Sequence, residues 1–157
     1  MNFKKNVCLL MLILFFISLS FVSASENNQT IGIMDNEELS TSPATFADFS
    51  DKIQTAGDTI NLEKDYTYSS DFNKNGIVIN KSITINGNGK TFDGNNNARI
   101  FNITADNVVI NNVNFINGFV KASGEKPNSG AAIHCTGSNL IINNCTFINN
   151  NGGNNGG

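Results

Sequence analysis

"FNITADNVVINNVNFING" occupies residues 101–118, and "IHCTGSNLIINNCTFINN" occupies residues 133–150. The second phrase lies over the first without a gap, at an offset of 133 − 101 = 32 residues. Thr104/Thr136, Asn107/Asn139, Ile110/Ile142, Asn111/Asn143, Asn112/Asn144, Phe115/Phe147, Ile116/Ile148 and Asn117/Asn149 are identical. Phe101/Ile133, Ile103/Cys135, Val108/Leu140 and Val113/Cys145 differ yet stay apolar. A period of this size falls in the range of about 20–50 residues that marks stacked repeat architectures.

Within each copy the apolar residues alternate, and alternation in a strand sends every second side chain to one face. That face is Phe101, Ile103, Val108, Ile110, Val113 and Phe115, followed by their six counterparts in the next copy. A weaker earlier copy, "SITINGNGKTFDG", brings Ile83, Ile85 and Phe92 to the same face if its turn holds about two extra residues. The runs between residues 58 and 150 are short, β-branched or aromatic, and end in Asn or Gly, with no helical pattern between them. Strands so short need neighbours to bury a face.

These features predict an all-β fold: a parallel β-helix of three to four rungs, each rung three short strands joined by tight turns. Rungs stacked about 4.8 Å apart set equivalent side chains above one another. The chain holds 29 asparagines, and this geometry gives them a use. Turns inside a rung need left-handed backbone, which Asn tolerates better than any residue except Gly. Stacked amides also hydrogen-bond in ladders from rung to rung. The repeated phrase therefore describes how a rung is built and is not a catalytic signature.

Outward from this core, "SPATFADFSDKIQTAG" (42–57) reads as a short amphipathic helix. Ser42 suits the N-cap, Pro43 the first helical position, and Gly57 the stop. Phe46, Phe49 and Ile53 share one face, fit to cover the first, otherwise bare end of a stack. Residues 25–41 read as a flexible polar leader. Residues 1–24 combine Lys4 and Lys5, the apolar run "VCLLMLILFFISLSFV" and the small residues "VSA". That pattern is a secretory signal peptide cleaved after Ala24; the alternative is a retained membrane anchor. "FVKASGEKPNSG" (119–130) is expected to be an exposed loop on one side, where solenoids put binding chemistry. Residues 151–157, "NGGNNGG", read as the opening of an incomplete next rung.

The charge balance of 10 Lys+Arg against 13 Asp+Glu, with Arg99 the single arginine, argues against nucleic acid as a partner. Two stretches, "NKSITINGNGKTFDGNNNARIFNI" and "NVVINNVNFING", resemble the Asn-rich adhesin-like surface proteins of methanogenic archaea, which belong to the pectin-lyase-like group. The pattern from "GAAI" to "FINN" is also similar to the repeats of chlamydial polymorphic outer-membrane proteins. This resemblance implies a right-handed helix of rungs and a secreted, cell-surface, archaeal adhesin-like protein. It also implies glycans or neighbouring cells as partners, and further rungs or a partner chain at the C-terminal edge. Such proteins carry many more rungs, so the chain is either a short module or the front piece of a longer one.

Enzymes of the pectin-lyase-like group share the architecture, but fold alone does not carry activity. A lyase wants clustered acidic calcium ligands and a base, and a glycosidase wants paired carboxylates. Asp58, Asp93, Asp106, Lys90 and Arg99 are scattered. Asp58 and Asp93 read as turn residues, and Arg99 as an outward strand residue. The expectation is a non-catalytic protein without cofactor or metal; the alternative is a remnant of a polysaccharide-degrading enzyme. His134 stands between two inward positions and is expected to face outward. Cys135 and Cys145 are either two buried thiols or a disulfide across one rung, since export permits either. Candidate N-glycosylation sequons lie at Asn28, Asn80, Asn102 and Asn144.

Overall fold

The computed structural model describes residues 43–121 and 130–153. The expected signal peptide, the leader, Ser42, Asn28, the centre of the 119–130 insert and the last four residues lie outside them. The described chain is mostly β-strand, arranged in parallel sheets, with one short helix.

The strands are β1 (Ala44–Thr45), β2 (Thr59–Asn61), β3 (Tyr66–Thr67), β4 (Ile77–Ile79), β5 (Ile83–Asn86) and β6 (Thr91–Asp93). They continue as β7 (Phe101–Ile103), β8 (Val108–Asn111), β9 (Asn114–Ile116), β10 (Ile133–Cys135), β11 (Ile141–Asn143) and β12 (Thr146–Ile148). Helix α1 (Phe46–Thr55) follows β1. Three sheets result, with orders β1-β3-β6-β9-β12, β11-β8-β5-β2 and β10-β7-β4. From β2 onward the chain visits the three sheets in fixed rotation, and every pairing is parallel.

Register follows the sequence repeat. Ile60 pairs with Ile85 and Ile85 with Ile110, a step of 25 residues, and Ile141 then pairs with Val109 at a step of 32. Tyr66, Phe92, Phe115 and Phe147 form one column across the five-stranded sheet. Their rings stack nearly parallel at centroid separations of 5.0, 6.2 and 5.2 Å. Phe101, Ile103, Val108, Ile110, Val113 and Phe115 are all fully buried, as the alternation predicts.

Their counterparts depart from that expectation. Ile133, Cys135, Leu140 and Cys145 are half-buried, while Ile142 and Phe147 are exposed. The pairing register is the expected one, but no described strand covers β10, β11 and β12 on their far side. Burial of a repeat position therefore needs a neighbour on both sides, not one.

Asparagine makes the turns. Nine non-glycine residues among those described have positive φ, and all nine are Asn: 88, 95, 96, 107, 112, 117, 139, 144 and 149. A ladder of amides runs down the four-stranded sheet. Asn86 Nδ2 donates to Asn61 Oδ1 (2.9 Å), Asn111 to Asn86 (3.0 Å) and Asn143 to Asn111 (2.9 Å).

The helix begins three residues later than the sequence rule places it. Thr45, not Ser42, is the N-cap: Thr45 N donates to Asp48 Oδ2 (2.7 Å), and Asp48 N donates to Thr45 Oγ1 (3.3 Å). This reciprocal capping box satisfies two amides that would otherwise lack partners. Ala44 instead extends as strand, its N–H donating to Asp65 O (3.0 Å). At the other end Ala56, one residue before Gly57, is the C-cap. Phe46, Phe49 and Ile53 are fully buried, and Phe49 meets Phe92 at 4.8 Å and Tyr66 at 5.0 Å. The helix thus covers the Tyr66–Phe92 beginning of the aromatic column.

A candidate binding cleft at one corner

Each circuit of the chain has three connections, and they differ sharply in length. Leaving the four-stranded sheet, the chain turns in four residues or fewer: 62–65, 87–90, 112–113 and 144–145. Leaving β3, β6 and β9 of the five-stranded sheet, it takes longer excursions: 68–76, 94–100 and 117–132. All three excursions enter the three-stranded sheet, so they pile up at one corner.

Backbone hydrogen bonds stitch these excursions together. Arg99 N donates to Lys74 O (3.0 Å), Phe119 N to Ala98 O (2.8 Å) and Ile100 N to Ala131 O (3.0 Å). Gly76 makes the first contact feasible. Its φ is +89°, and a Cβ there would stand 2.8 Å from Arg99 O and 2.9 Å from Ile100 O. Only glycine combines that backbone with that approach.

The corner carries a cleft of about 470 Å³ lined by Lys74, Asn75, Asn97, Arg99, Phe119, Val120 and Lys121. Three of the chain's ten Lys and Arg residues line this one concavity, in a protein whose net charge is −3. Arg99 is half-buried, and its Nε donates to Gly130 O at 2.9 Å, which fixes the plane of the guanidinium. Burial pulls its pKa below the usual arginine value, since a desolvated cation is less favourable than a hydrated one. Asn97 is oriented by Nδ2 donating to Asn95 O (2.6 Å), and the Asn75 backbone N–H donates to Asn73 Oδ1 (2.9 Å). Phe119 and Val120 are half-buried and give the cleft an apolar wall. Cations, amides and one aromatic ring on rigid backbone can bind a polar ligand.

Arg99 is therefore not an outward strand residue: it stands in the excursion before β7, because the strand begins only at Phe101. Asp93, expected as a turn residue, is instead the last residue of β6; its Oδ1 accepts from Asn95 N (2.8 Å) and from Asn117 Nδ2 (3.0 Å) and so braces the turn that follows. Asp106 Oδ1 accepts from Ser138 N (2.6 Å). Asp58 is exposed in the bend before β2, and Lys90 lies in the turn between β5 and β6. Among the described residues, no three or more His, Cys, Asp or Glu are grouped to hold a metal, and no helix is long and apolar enough to cross a membrane.

His134 pairs with Asn102 in the centre of β10 and is half-buried. Cys135 and Cys145, read as two buried thiols or a disulfide, are both half-buried free thiols in this structure. Cys135 Sγ donates to Gly137 O (3.4 Å), and Cys145 Sγ to Asn143 O (3.3 Å). The sequons differ in accessibility. Asn80 is exposed between β4 and β5, whereas Asn102 is half-buried in the middle strand of its sheet, between Val78 and His134. Asn144 is exposed but spends its Nδ2 on Asn112 Oδ1 (3.2 Å).

Sequence reasoning pointed to the 119–130 insert as a binding loop but missed Lys74, Asn75 and Asn97. Their signal is a shared position: each follows an aromatic strand of the same column, and 99 − 74 = 25 equals the circuit length. No family model, curated protein or solved structure matches the chain.

Proposed function

We propose that the chain forms a right-handed parallel β-helix and serves as an exported, non-catalytic, adhesin-like surface protein that binds glycans at its corner cleft. One observation carries the binding role: three successive excursions of the chain converge on one cleft lined by cations, amides and an aromatic ring. The fixed rotation through three parallel sheets supports the β-helix, and the strong preference for right-handed crossovers supports its hand. The apolar run and "VSA" near the N-terminus support export. Asp93 and Asp106 are committed to turn amides, which supports a scaffold role for them rather than an acid–base pair. Exposed Ile141, Ile142, Phe147 and Ile148 support further rungs or a partner chain on β10–β12.

The test is a glycan array probed with the secreted protein, followed by a reducing-end assay on whatever is bound. Binding without new reducing ends is the expected outcome. New reducing ends would overturn the non-catalytic reading, and an array without a single bound glycan would overturn the binding one. N-terminal sequencing of the secreted form is expected to begin at Ser25.

A further inference from the structure

The sequons at Asn80, Asn102 and Asn144 fall among the described residues, and the fold treats them very differently. Transfer of a glycan needs the Asn amide, the hydroxyl two residues on and the backbone between them to be accessible together, as in a surface loop.

Asn102-Ile103-Thr104 is closed on each count. Asn102 and Ile103 belong to β7, which is paired on both sides, and Ile103 is fully buried. Thr104 N donates to Ile79 O (2.9 Å). Asn144-Cys145-Thr146 is open in part, but its reacting atom is engaged: Asn144 Nδ2 donates to Asn112 Oδ1 (3.2 Å). Thr146 N is also tied, to Val113 O (3.0 Å).

Asn80-Lys81-Ser82 is the corner between β4 and β5. Asn80 and Ser82 are both exposed, and among the described residues no hydrogen bond holds the Asn80 side chain. Ser82 Oγ donates to Asn107 O (3.0 Å), a bond at an exposed position where another acceptor can replace it.

A second observation bears on the same corner. Val78 is 44% exposed, and every other exposed large apolar side chain among the described residues lies in β11 or β12. Residues 77–80 alternate buried, exposed, buried, exposed, so Val78 and Asn80 share the outward face. A strand sets them about 7 Å apart, within reach of a sugar ring on Asn80. The C–H face of that ring takes the Val78 side chain out of water.

We propose that Asn80, alone of these three sequons, is N-glycosylated. The donor class is an oligosaccharide linked through phosphate to a polyisoprenyl lipid. A bond forms between Asn80 Nδ2 and C1 of the first sugar as the bond from C1 to the phosphate oxygen breaks. The lipid phosphate leaves with the electron pair, and Nδ2 gives up one proton to a base on the transferase. This rests on the export reading above, since the modification belongs to exported chains. The glycan leaves the cleft open. The cleft stands where the chain enters the three-stranded sheet, and Asn80 where it leaves that sheet.

The test is site mapping by mass spectrometry of the full chain secreted from a glycosylating host. Deglycosylation by a peptide-N-glycosidase in heavy-oxygen water converts each formerly modified Asn to labelled Asp, read against a sample without the enzyme. Label is expected at Asn80 and not at Asn102 or Asn144. Asn80→Gln and Ser82→Ala should each lose the Asn80 glycan outright, and Ser82→Thr should keep it.

Label at Asn102 or Asn144 equal to that at Asn80 overturns the proposal, because the fold would then select nothing. An unlabelled Asn80 in a secreted chain that begins at Ser25 overturns it as well. If the chain is not secreted, the export reading fails first. Transfer by a purified oligosaccharyltransferase to the folded full chain then decides whether Asn80 is the selective acceptor.

Discussion

Phe115 and Phe147 share one column of the five-stranded sheet and stack at 5.2 Å, yet Phe115 is fully buried and Phe147 is 48% exposed. The two residues are identical in type and register and similar in sequence context, so the difference reports mainly the worth of a second covering layer. Phe115→Ala should cost about 3–5 kcal/mol, the range for truncating a buried phenylalanine. Phe147→Ala should cost only about 1 kcal/mol, since half of its surface remains in water. Urea denaturation of the two variants measures both values, and equal losses would contradict the picture.

The amide ladder should behave as a chain of dependent bonds. Asn111 donates to Asn86 and accepts from Asn143, whereas Asn143 makes only the first kind of contact within the ladder. Asn111→Ala leaves partners unmatched on both sides and should cost about 1–3 kcal/mol. Asn143→Ala, at the exposed edge where water can substitute, should cost less. Asn111→Asp should be worse at pH 7 than at pH 3. The ionised carboxylate cannot donate to Asn86 Oδ1, while the protonated one can. Thermal unfolding of the Asp variant at the two pH values checks the sign.

Acid sensitivity should appear at the helix start. The Thr45 backbone N–H, and after it the Thr45 hydroxyl, hold the Asp48 carboxyl below its usual value. A carboxyl depressed on folding contributes stability that is present above its unfolded pKa, near 4, and fades as pH falls through the lower folded value. Asp48 is exposed, so the contribution is small. Asp48→Asn should flatten the acid limb of the stability curve. Tyr66 shifts the other way: burial foremost, then the charges of Asp48 and Glu63, raise its phenol above its usual value. Its contribution is present below the unfolded pKa, near 10, and is lost as pH rises through the folded one.

Much of the architecture was legible because period-2 alternation and a gapless 32-residue offset constrain the same residues twice. The six inward positions from Phe101 to Phe115 needed no tertiary information, and neither did the general need for Asn in the turns. The helix start was not legible, because Ser42-Pro43 and Thr45-x-x-Asp48 both satisfy local capping rules. The bond from Ala44 N to Asp65 O decides between them, and it joins residues 21 positions apart. Exposure of Phe147 depends on what lies beside a strand, a property that no pattern within the strand encodes. The cleft was only half visible: "FVK" drew notice as an insert, but Lys74 and Arg99 become its neighbours through parallel register alone.

Gly76 ties the scaffold to the cleft, and its replacement should damage both. With φ at +89°, an alanine there is strained whatever the surrounding space, and its Cβ would press on the carbonyls of Arg99 and Ile100. Relief requires residues 68–76 to lift away from residues 94–100, which breaks the bond from Arg99 N to Lys74 O. The expected cost is more than about 1 kcal/mol, the size of an αL penalty alone, because the clash adds to it. Gly89 is the internal control. It has φ of +76° but nothing within 4 Å of where a Cβ would stand, so Gly89→Ala carries strain without collision. Gly76→Ala should therefore lose more stability than Gly89→Ala, and it alone should speed amide hydrogen exchange at Arg99. Equal stability losses with exchange at Arg99 unchanged would mean that the two excursions are not held together at Gly76.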